Sequence, residues 1–222
     1  LPYSWSINNV AFAEVMHTAL AYFQAGRFDE GYKLLKSSVL DGMYLGDSPG
    51  NFGQISFYDA ARGECYRDFG DPVGVASRVM IQGVYGILPD LMNDRLGIRP
   101  GFPSDWKKAS LATPDVTYHF SREKDADTYQ ITQRFGKPLE IGLRIKAVRE
   151  KVASVEVNGK KADWSLVDAA SGSPELLVVA SETENAEITI RWKGKPLQTL
   201  VAGELNVDAG GQISLRAPQG IQ

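Results

Sequence analysis

The chain has 222 residues, of which 43% are hydrophobic and 23% charged, and its formal net charge is −3. This composition is that of an ordinary globular protein and excludes the disordered and collagen-like classes. The small net charge, without a long run of one sign, gives no reason to expect nucleic acid or an anionic membrane as a partner. No apolar stretch reaches the roughly 20 residues that a membrane-spanning helix needs.

The N-terminal sequence has no initiator Met and none of the basic and apolar regions of a signal peptide, so we expect further sequence upstream of Leu1. Cys65 is the only cysteine, which excludes an internal disulfide. A single thiol does not decide the compartment, and we favour a periplasmic or secreted location over the cytoplasm.

The first hundred residues have the apolar spacing of helices. A first helix is predicted from Asn8 to Gln24, ending at Gly26, and a second from about Phe28 to Met43. A third is predicted from Pro72 to Leu88. Glycines lower the intrinsic helix propensity of this third helix and indicate close packing against neighbouring backbone: Gly74, Gly83 and Gly86.

From about Thr113 the apolar residues recur with period two, which is typical of strands. Asn158-Gly159 follows one such run and predicts a two-residue hairpin turn. Many short strands separated by turn signals favour an antiparallel sandwich, so the expected fold class is α+β. Apolar residues mark the predicted strands at Val116–Phe120, Tyr129–Ile131, Ile141–Ile145, Ala153–Val157, Leu176–Val179 and Ile188–Trp192.

A long segment without periodicity, residues 46–71, separates the second and third helices. Loops of this length in compact domains are often functional. The segment is rich in glycine, aromatic and acidic residues; aromatic rings stack on sugars, and paired carboxylates perform glycoside hydrolysis. The candidate acid and base residues are Asp59, Glu64 and Asp68. The candidate sugar contacts are Tyr3, Trp5, Asn8, Asn51, Phe52, Tyr58 and Arg67.

The position of this loop relative to the helices favours a site. If the first and third helices are both inner helices of a barrel, their N-termini point to the same end. The segment before the first helix and the loop before the third would then meet at one rim. The alternative is that the loop acids form helix caps and surface ion pairs with Arg62 and Arg67.

Other chemical motifs are weaker. Glu14 and His17 share one helix face, as in di-iron bundles, but a second such pair is missing, so we expect His17 to be a hydrogen-bonded core residue. No phosphate loop, dinucleotide fingerprint or zinc spacing is found, so neither a cofactor nor a metal is expected. Trp164 and Trp192 are either sugar platforms or sandwich-core residues.

The segment Leu96–Trp106 resembles the L-x-I-x-P-x-x-P-x-x-W segment of (α/α)6-barrel glycoside hydrolases and phosphorylases, including maltose and cellobiose phosphorylases and α-L-rhamnosidases. With the stretches at 2–9 and 66–72, the chain resembles the C-terminal part of an uncharacterised bacterial family of glycoside hydrolase-like proteins. The resemblance implies the last barrel helices at residues 1–98, a Pro-rich linker at 99–112 and a β-sandwich accessory domain at 113–222. No acid here matches a known catalytic residue of that family.

Three hypotheses about function follow. In the first, the chain is the C-terminal fragment of a carbohydrate-active enzyme and is inactive alone; its partners are a carbohydrate and either the missing N-terminal part of the protein or a second copy bound through exposed helices. In the second, it is a non-catalytic carbohydrate-binding or scaffolding module. In the third, it is a helical protein-interaction module, which the single hairpin turn at 26–30 supports only superficially.

Overall fold

The computed structural model describes residues 9–10, 12–45, 55–56, 70–168, 173–197 and 210–212. Two compact units are present. The first, the helical unit, takes its described residues from Leu1–Asp90 and Leu96–Trp106, and the second, the strand unit, from Leu91–Arg95 and Lys107–Gln222. Helices in one unit and antiparallel sheets in the other confirm the predicted α+β class. None of the described helices is long and apolar enough to span a membrane.

The helical unit has the following elements in chain order: β1 (Asn9–Val10), α1 (Phe12–Gln24), α2 (Phe28–Val39), a wide π-helical continuation (Leu40–Leu45), β2 (Ile55–Ser56), α3 (Gly70–Arg78), a second π-helical continuation (Val79–Val84) and β3 (Ile87–Asp90). A 3-10 turn (Leu91–Asn93) leads to β4 (Arg95–Ile98). The first helix therefore begins at Phe12 and not at Asn8, because Asn9 and Val10 pair with β2.

The turn between α1 and α2 is built around Gly26. Its φ of +73° is a left-handed conformation that glycine adopts without strain. The Gly26 amide donates to the Phe23 carbonyl (3.0 Å) and the Arg27 amide to the Tyr22 carbonyl (2.8 Å), which is the Schellman arrangement for ending a helix. The prediction that Gly26 ends the first helix is confirmed.

The third helix ends earlier than predicted. Helical backbone stops at Val84, and Leu88 lies in β3. Gly86 forces the change of direction, with a φ of +65° and no room for a side chain, since a Cβ there would lie 1.8 Å from the Arg99 carbonyl oxygen. Because the helical spacing of apolar residues continues past Gly86, the sequence pattern overestimates the length of the third helix.

The Pro–Trp segment, Leu96–Trp106, is bound to the helical unit by polar contacts at both of its ends. Arg99 Nη1 donates to the Gln24 carbonyl at the C-terminus of α1 (2.8 Å), where the helix itself has no basic residue. Asp29, in the first turn of α2, accepts hydrogen bonds from the Ser104 amide (2.9 Å) and hydroxyl (3.2 Å). Both contacts place charges where the helix dipole favours them.

Apolar packing completes this attachment. The Trp106 ring makes an edge contact with Tyr32 of α2, with ring centroids 5.1 Å apart, and stacks on Phe102 at 5.9 Å. The buried Phe23 ring lies among three glycines, from α2, from the second π-helical continuation and from the Pro–Trp segment: Gly31, Gly83 and Gly101. Close approach of backbone to this ring is possible only because these residues have no Cβ.

The strand unit contains two antiparallel sheets. Its strands are β5 (Lys108–Ala112), β6 (Val116–Arg122), β7 (Ala126–Gln133), β8 (Leu139–Lys146), β9 (Arg149–Val157), β10 (Lys160–Lys161), β11 (Trp164–Leu166), β12 (Glu175–Thr183) and β13 (Asn185–Pro196). One sheet has the order β10-β9-β13-β7-β6-β5, and in the other β11, β12 and β8 lie side by side. β5 occupies residues that the sequence had suggested as linker.

Alternating burial confirms the strand predictions. Along β6, β7 and β8 every second residue is buried, which produces the apolar inner faces of a sandwich. The Asn158-Gly159 turn has φ values of +50° and +73°, as a type I′ hairpin requires, and joins β9 to β10.

A charged group lies within this core. Asp127 is 1% exposed and accepts two hydrogen bonds from Arg122 (2.7 and 2.9 Å) and one from Trp192 Nε1 (3.1 Å). Burial is the largest single influence on the pKa of Arg122 and lowers it, but the hydrogen bonds and negative charge of Asp127, together with Tyr129, offset burial and leave that pKa raised. Trp192 is therefore a core residue, whereas Trp164 is partly exposed on β11.

Candidate functional site

The acids and sugar contacts predicted from the sequence lie outside the described residues. These are Asp59, Glu64 and Asp68, together with Tyr3, Trp5, Asn8, Asn51, Phe52, Tyr58 and Arg67. The elements that flank them are described, however, and they determine where the two segments enter and leave the helical unit.

A short antiparallel ladder connects the two segments. Asn9 pairs with Ser56 and Val10 with Ile55. β1 directly precedes α1, and β2 lies within the long loop that precedes α3. The ladder therefore lies beside the start of α1, and the predicted acids and sugar contacts lie in the sequence on either side of its two strands.

The helices α1 and α3 run parallel. Near their N-termini, His17 of α1 and Asp71 of α3 line the same groove. Near their C-terminal ends, the Phe23 ring of α1 contacts Gly83, which follows α3. Two points of contact in the same order along both helices require the same direction. The N-termini of α1 and α3 therefore lie toward the same end of the helical unit.

The groove between these helices, the α1–α3 groove, has a volume of about 460 Å³. It is lined by Ala13, Glu14, His17, Asp71, Gly74 and Val75. Its volume falls in the range of about 300–1,000 Å³ that is usual for small-molecule sites. The three polar side chains are exposed and converge on the groove from two helices.

The prediction that His17 is a core residue is wrong. The buried stripe of α1 consists of Phe12, Met16, Ala19, Leu20 and Phe23. His17 lies outside this stripe, one residue past Met16, and is exposed. Its hydrophilic ring remains in solvent because the apolar residues of α1 already fill the contact with α2 and α3.

Electrostatics favours carboxylates in the groove. Glu14 is in the first turn of α1 and Asp71 in the first turn of α3, where the helix dipole presents partial positive charge. Carboxylate oxygens accept hydrogen bonds from hydroxyl groups, and a neutral imidazole both donates and accepts. Within the described ranges, no three His, Cys, Asp or Glu residues are grouped closely enough to hold a metal ion.

Sequence reasoning did not select Glu14 or Asp71 as site residues. From the sequence, Glu14 is a candidate only for a metal site with His17, and Asp71, the last residue of the segment 46–71, has no assigned role. One pattern could have identified both residues from the sequence: each is an acid in the first turn of its helix, and the two helices are expected to run parallel. Either observation alone is common to most helices.

Comparison with known proteins gives loose likenesses. No family model and no curated protein sequence matches the chain. Among solved structures, it is similar to α-L-rhamnosidase from Dictyoglumus thermophilum, with a TM-score of 0.41 and 12% identity over 74% of this chain and 20% of that chain. It is also similar to Ara127N-Se, a GH127 β-L-arabinofuranosidase from Geobacillus stearothermophilus T6, with a TM-score of 0.29 and 14% identity over 55% of this chain and 19% of that chain.

The chain thus spans about a fifth of the length of each of these two proteins.

Proposed function

We propose that the chain is the C-terminal part of a carbohydrate-active enzyme, in which the helical unit provides one sector of an (α/α)6 barrel and of its active-site rim. The observation that carries this proposal is the β1–β2 ladder. It joins the segment before α1 to the loop before α3, and those two segments contain the aromatic and acidic residues that a glycosidase site needs.

In this proposal the reaction is acid–base hydrolysis or phosphorolysis of a glycosidic bond. One carboxyl group protonates the leaving oxygen, and a second carboxylate activates the attacking group or attacks the sugar itself. The candidates remain Asp59, Glu64 and Asp68. The aromatic candidates would stack on apolar sugar faces, and the Asn and Arg candidates would bind hydroxyls.

The partner in this proposal is the rest of the same protein. Three α-helices are present in the described part of the chain, and a six-hairpin barrel has twelve. Apolar side chains lie exposed on both helical continuations and on α3: Leu40, Tyr44, Val73 and Met80. Helices of the remaining barrel, or a second copy of the chain, would cover them.

The test uses the longer protein that contains this chain. Asp59→Asn, Glu64→Gln and Asp68→Asn are assayed separately against glycosides. The true acid should lose several orders of magnitude in turnover while substrate binding remains, because the amide cannot transfer a proton. Full turnover in all three variants would remove these residues from the mechanism. Glycan binding by the wild-type protein without any turnover would indicate a binding module.

A separate measurement tests the partner. The 222-residue chain alone should show no glycosidase turnover and should self-associate in sedimentation experiments through its exposed helix faces. Turnover by this chain alone would contradict the shared barrel, and a strictly monomeric chain would contradict self-association.

A further inference from the structure

One glycine in α3 has no structural reason to be glycine. Gly74 lies in the middle of a nine-residue helix, where glycine costs roughly 0.5–1 kcal/mol relative to alanine. None of the described residues comes within 4 Å of a Cβ built on it, whereas one on Gly83 would lie 2.7 Å from the Phe23 ring. Its φ is not in the left-handed region, so an alanine would fit without backbone strain. Packing therefore explains Gly83 and does not explain Gly74.

The missing side chain leaves space in a particular place. Gly74 lines the α1–α3 groove, where it exposes backbone between Asp71 and Val75 and opposite Glu14 and His17 of α1. Glycine is the residue that permits a ligand to approach the backbone closely. A side chain at this position would project into the groove and reduce its volume.

We propose that the α1–α3 groove is a binding subsite for a single neutral sugar ring, with Gly74 providing the floor on which the ring lies. The ring's hydroxyls donate hydrogen bonds to the carboxylates of Glu14 and Asp71, and His17 binds a further hydroxyl. Ala13 and Val75 contact its C–H surface. The choice of a sugar rests on the proposed function; the groove itself disfavours anions and offers two carboxylates and an imidazole to a small ligand that donates hydrogen bonds.

The charge of the side chains that line the α1–α3 groove limits the class of ligand. Two carboxylates in one groove repel anionic ligands such as phosphates and uronic acids. Both carboxylates already lie near helix N-termini, so a neutral hydrogen-bond donor suits them. The expected ligand is therefore a neutral hexose, deoxyhexose or pentose, and not a phosphorylated or acidic sugar.

The test uses the two histidines of the full chain as reporters in one NMR spectrum. His17 lines the groove, and His119 lies on β6 in the strand unit, so its imidazole signals are an internal control. Free neutral hexoses, deoxyhexoses and pentoses are titrated one at a time. At least one should shift the His17 imidazole signals saturably and leave those of His119 in place.

Variants of α3 then locate the effect. Gly74→Leu fills the groove and should weaken the sugar-induced His17 shift at least tenfold. Ser77→Leu adds bulk to an exposed position on the same helix outside the groove and should leave the shift unchanged. If leucine disturbs the fold, Gly74→Ala is the second variant, because a Cβ there meets none of the described residues. It should weaken sugar binding severalfold while the circular dichroism spectrum stays that of the wild-type protein.

The outcomes separate this inference from the proposed function. Sugar-induced shifts elsewhere in the helical unit with His17 unmoved would overturn the groove assignment and retain the carbohydrate proposal. No shift anywhere with any sugar would overturn the groove assignment and remove support for carbohydrate binding by this chain. A shift that persists in Gly74→Leu would overturn the role of Gly74.

Discussion

The two glycines Gly74 and Gly83 provide a matched test of packing in the helical unit. Alanine at either position removes the backbone entropy cost of glycine in a helix, roughly 0.5–1 kcal/mol. At Gly74 no residue in the described part of the chain opposes this gain, because none has an atom within 4 Å of the added Cβ. We expect Gly74→Ala to raise the free energy of unfolding by about that amount.

At Gly83 the same substitution meets the Phe23 ring. The added Cβ would lie 2.7 Å from Cδ2 and 3.0 Å from Cγ of Phe23. The ring has little room to retreat, because Gly31 and Gly101 approach it so closely that a Cβ on them would lie 3.1 and 2.5 Å away. Overpacking of this kind costs about 1–3 kcal/mol. The gain from removing glycine is common to both variants, so they should differ by the overpacking cost at Gly83 alone, about 1–3 kcal/mol.

Urea unfolding followed by far-UV circular dichroism measures this difference, because the helical signal reports mainly on α1, α2 and α3. In a thermal scan it corresponds to about 4–8 °C per kcal/mol for a unit of this size. Gly83→Ala combined with Phe23→Leu should recover part of the loss, since leucine vacates the space. Equal stabilisation by Gly74→Ala and Gly83→Ala would refute the enclosure of Phe23.

Three further predictions concern stability, each with a control. Arg99→Met should cost about 1–2 kcal/mol of unfolding free energy, because it removes the charge and the hydrogen bond at the C-terminus of α1. The control Arg95→Met breaks the exposed pair with Glu140 and should cost under about 1 kcal/mol; equal effects in denaturant titrations would contradict the capping role of Arg99. Asp127→Asn should cost about 3–5 kcal/mol because it leaves the partly buried Arg122 without its counter-charge, while Asp94→Asn, in an exposed pair with Lys137, should cost about 0–1 kcal/mol. A small effect at Asp127 in thermal unfolding would show that Arg122 relaxes to solvent. Gly86→Ala should prevent folding of the helical unit, and soluble, helical Gly86→Ala protein would refute the close approach of Arg99. The control Gly136→Ala is also at positive φ, but no described residue comes within 4 Å of its Cβ, so it should cost only the backbone strain of about 1–2 kcal/mol.

Strand positions were predictable because the core selects every second residue. Tyr118, Ile131 and Leu143 are buried where the period-two pattern placed them, and a shift of one residue would have exposed each of them. The Asn158-Gly159 turn was equally clear, since few other residue pairs accept two consecutive positive φ values.

Helix ends were less predictable because distant residues determine them. The start of α1 depends on pairing with Ile55 and Ser56, and the end after α3 depends on Arg99 and Gly86. A periodic pattern of apolar residues contains no information about such contacts. The three helix glycines show the same limit: close packing was the right explanation for Gly83 and Gly86 and the wrong one for Gly74.

The candidate site was predictable only in outline. Treating the first and third helices as inner helices of a barrel predicts that they run in the same direction. The contacts of α1 with α3 and Gly83 agree with that direction, and the barrel itself stays a prediction. His17 was misplaced because local sequence does not show which side of a mostly apolar helix faces its neighbours. Its exposure follows from the buried stripe that Met16 and Leu20 form with α2 and α3.

The chain passes from the helical unit to the strand unit and back before it continues in the strand unit, and this affects how the two units can be expressed separately. Residues up to Asp90 belong to the helical unit, Leu91–Arg95 to the strand unit, Leu96–Trp106 again to the helical unit, and the remainder to the strand unit. A cut before Leu91 would remove the Arg99 and Ser104 contacts from α1 and α2, and a cut after Trp106 would remove Asp94 from Lys137. Neither unit can be transferred to another protein as one continuous segment. A chimera made from two relatives should therefore take the whole region 86–107 from a single parent.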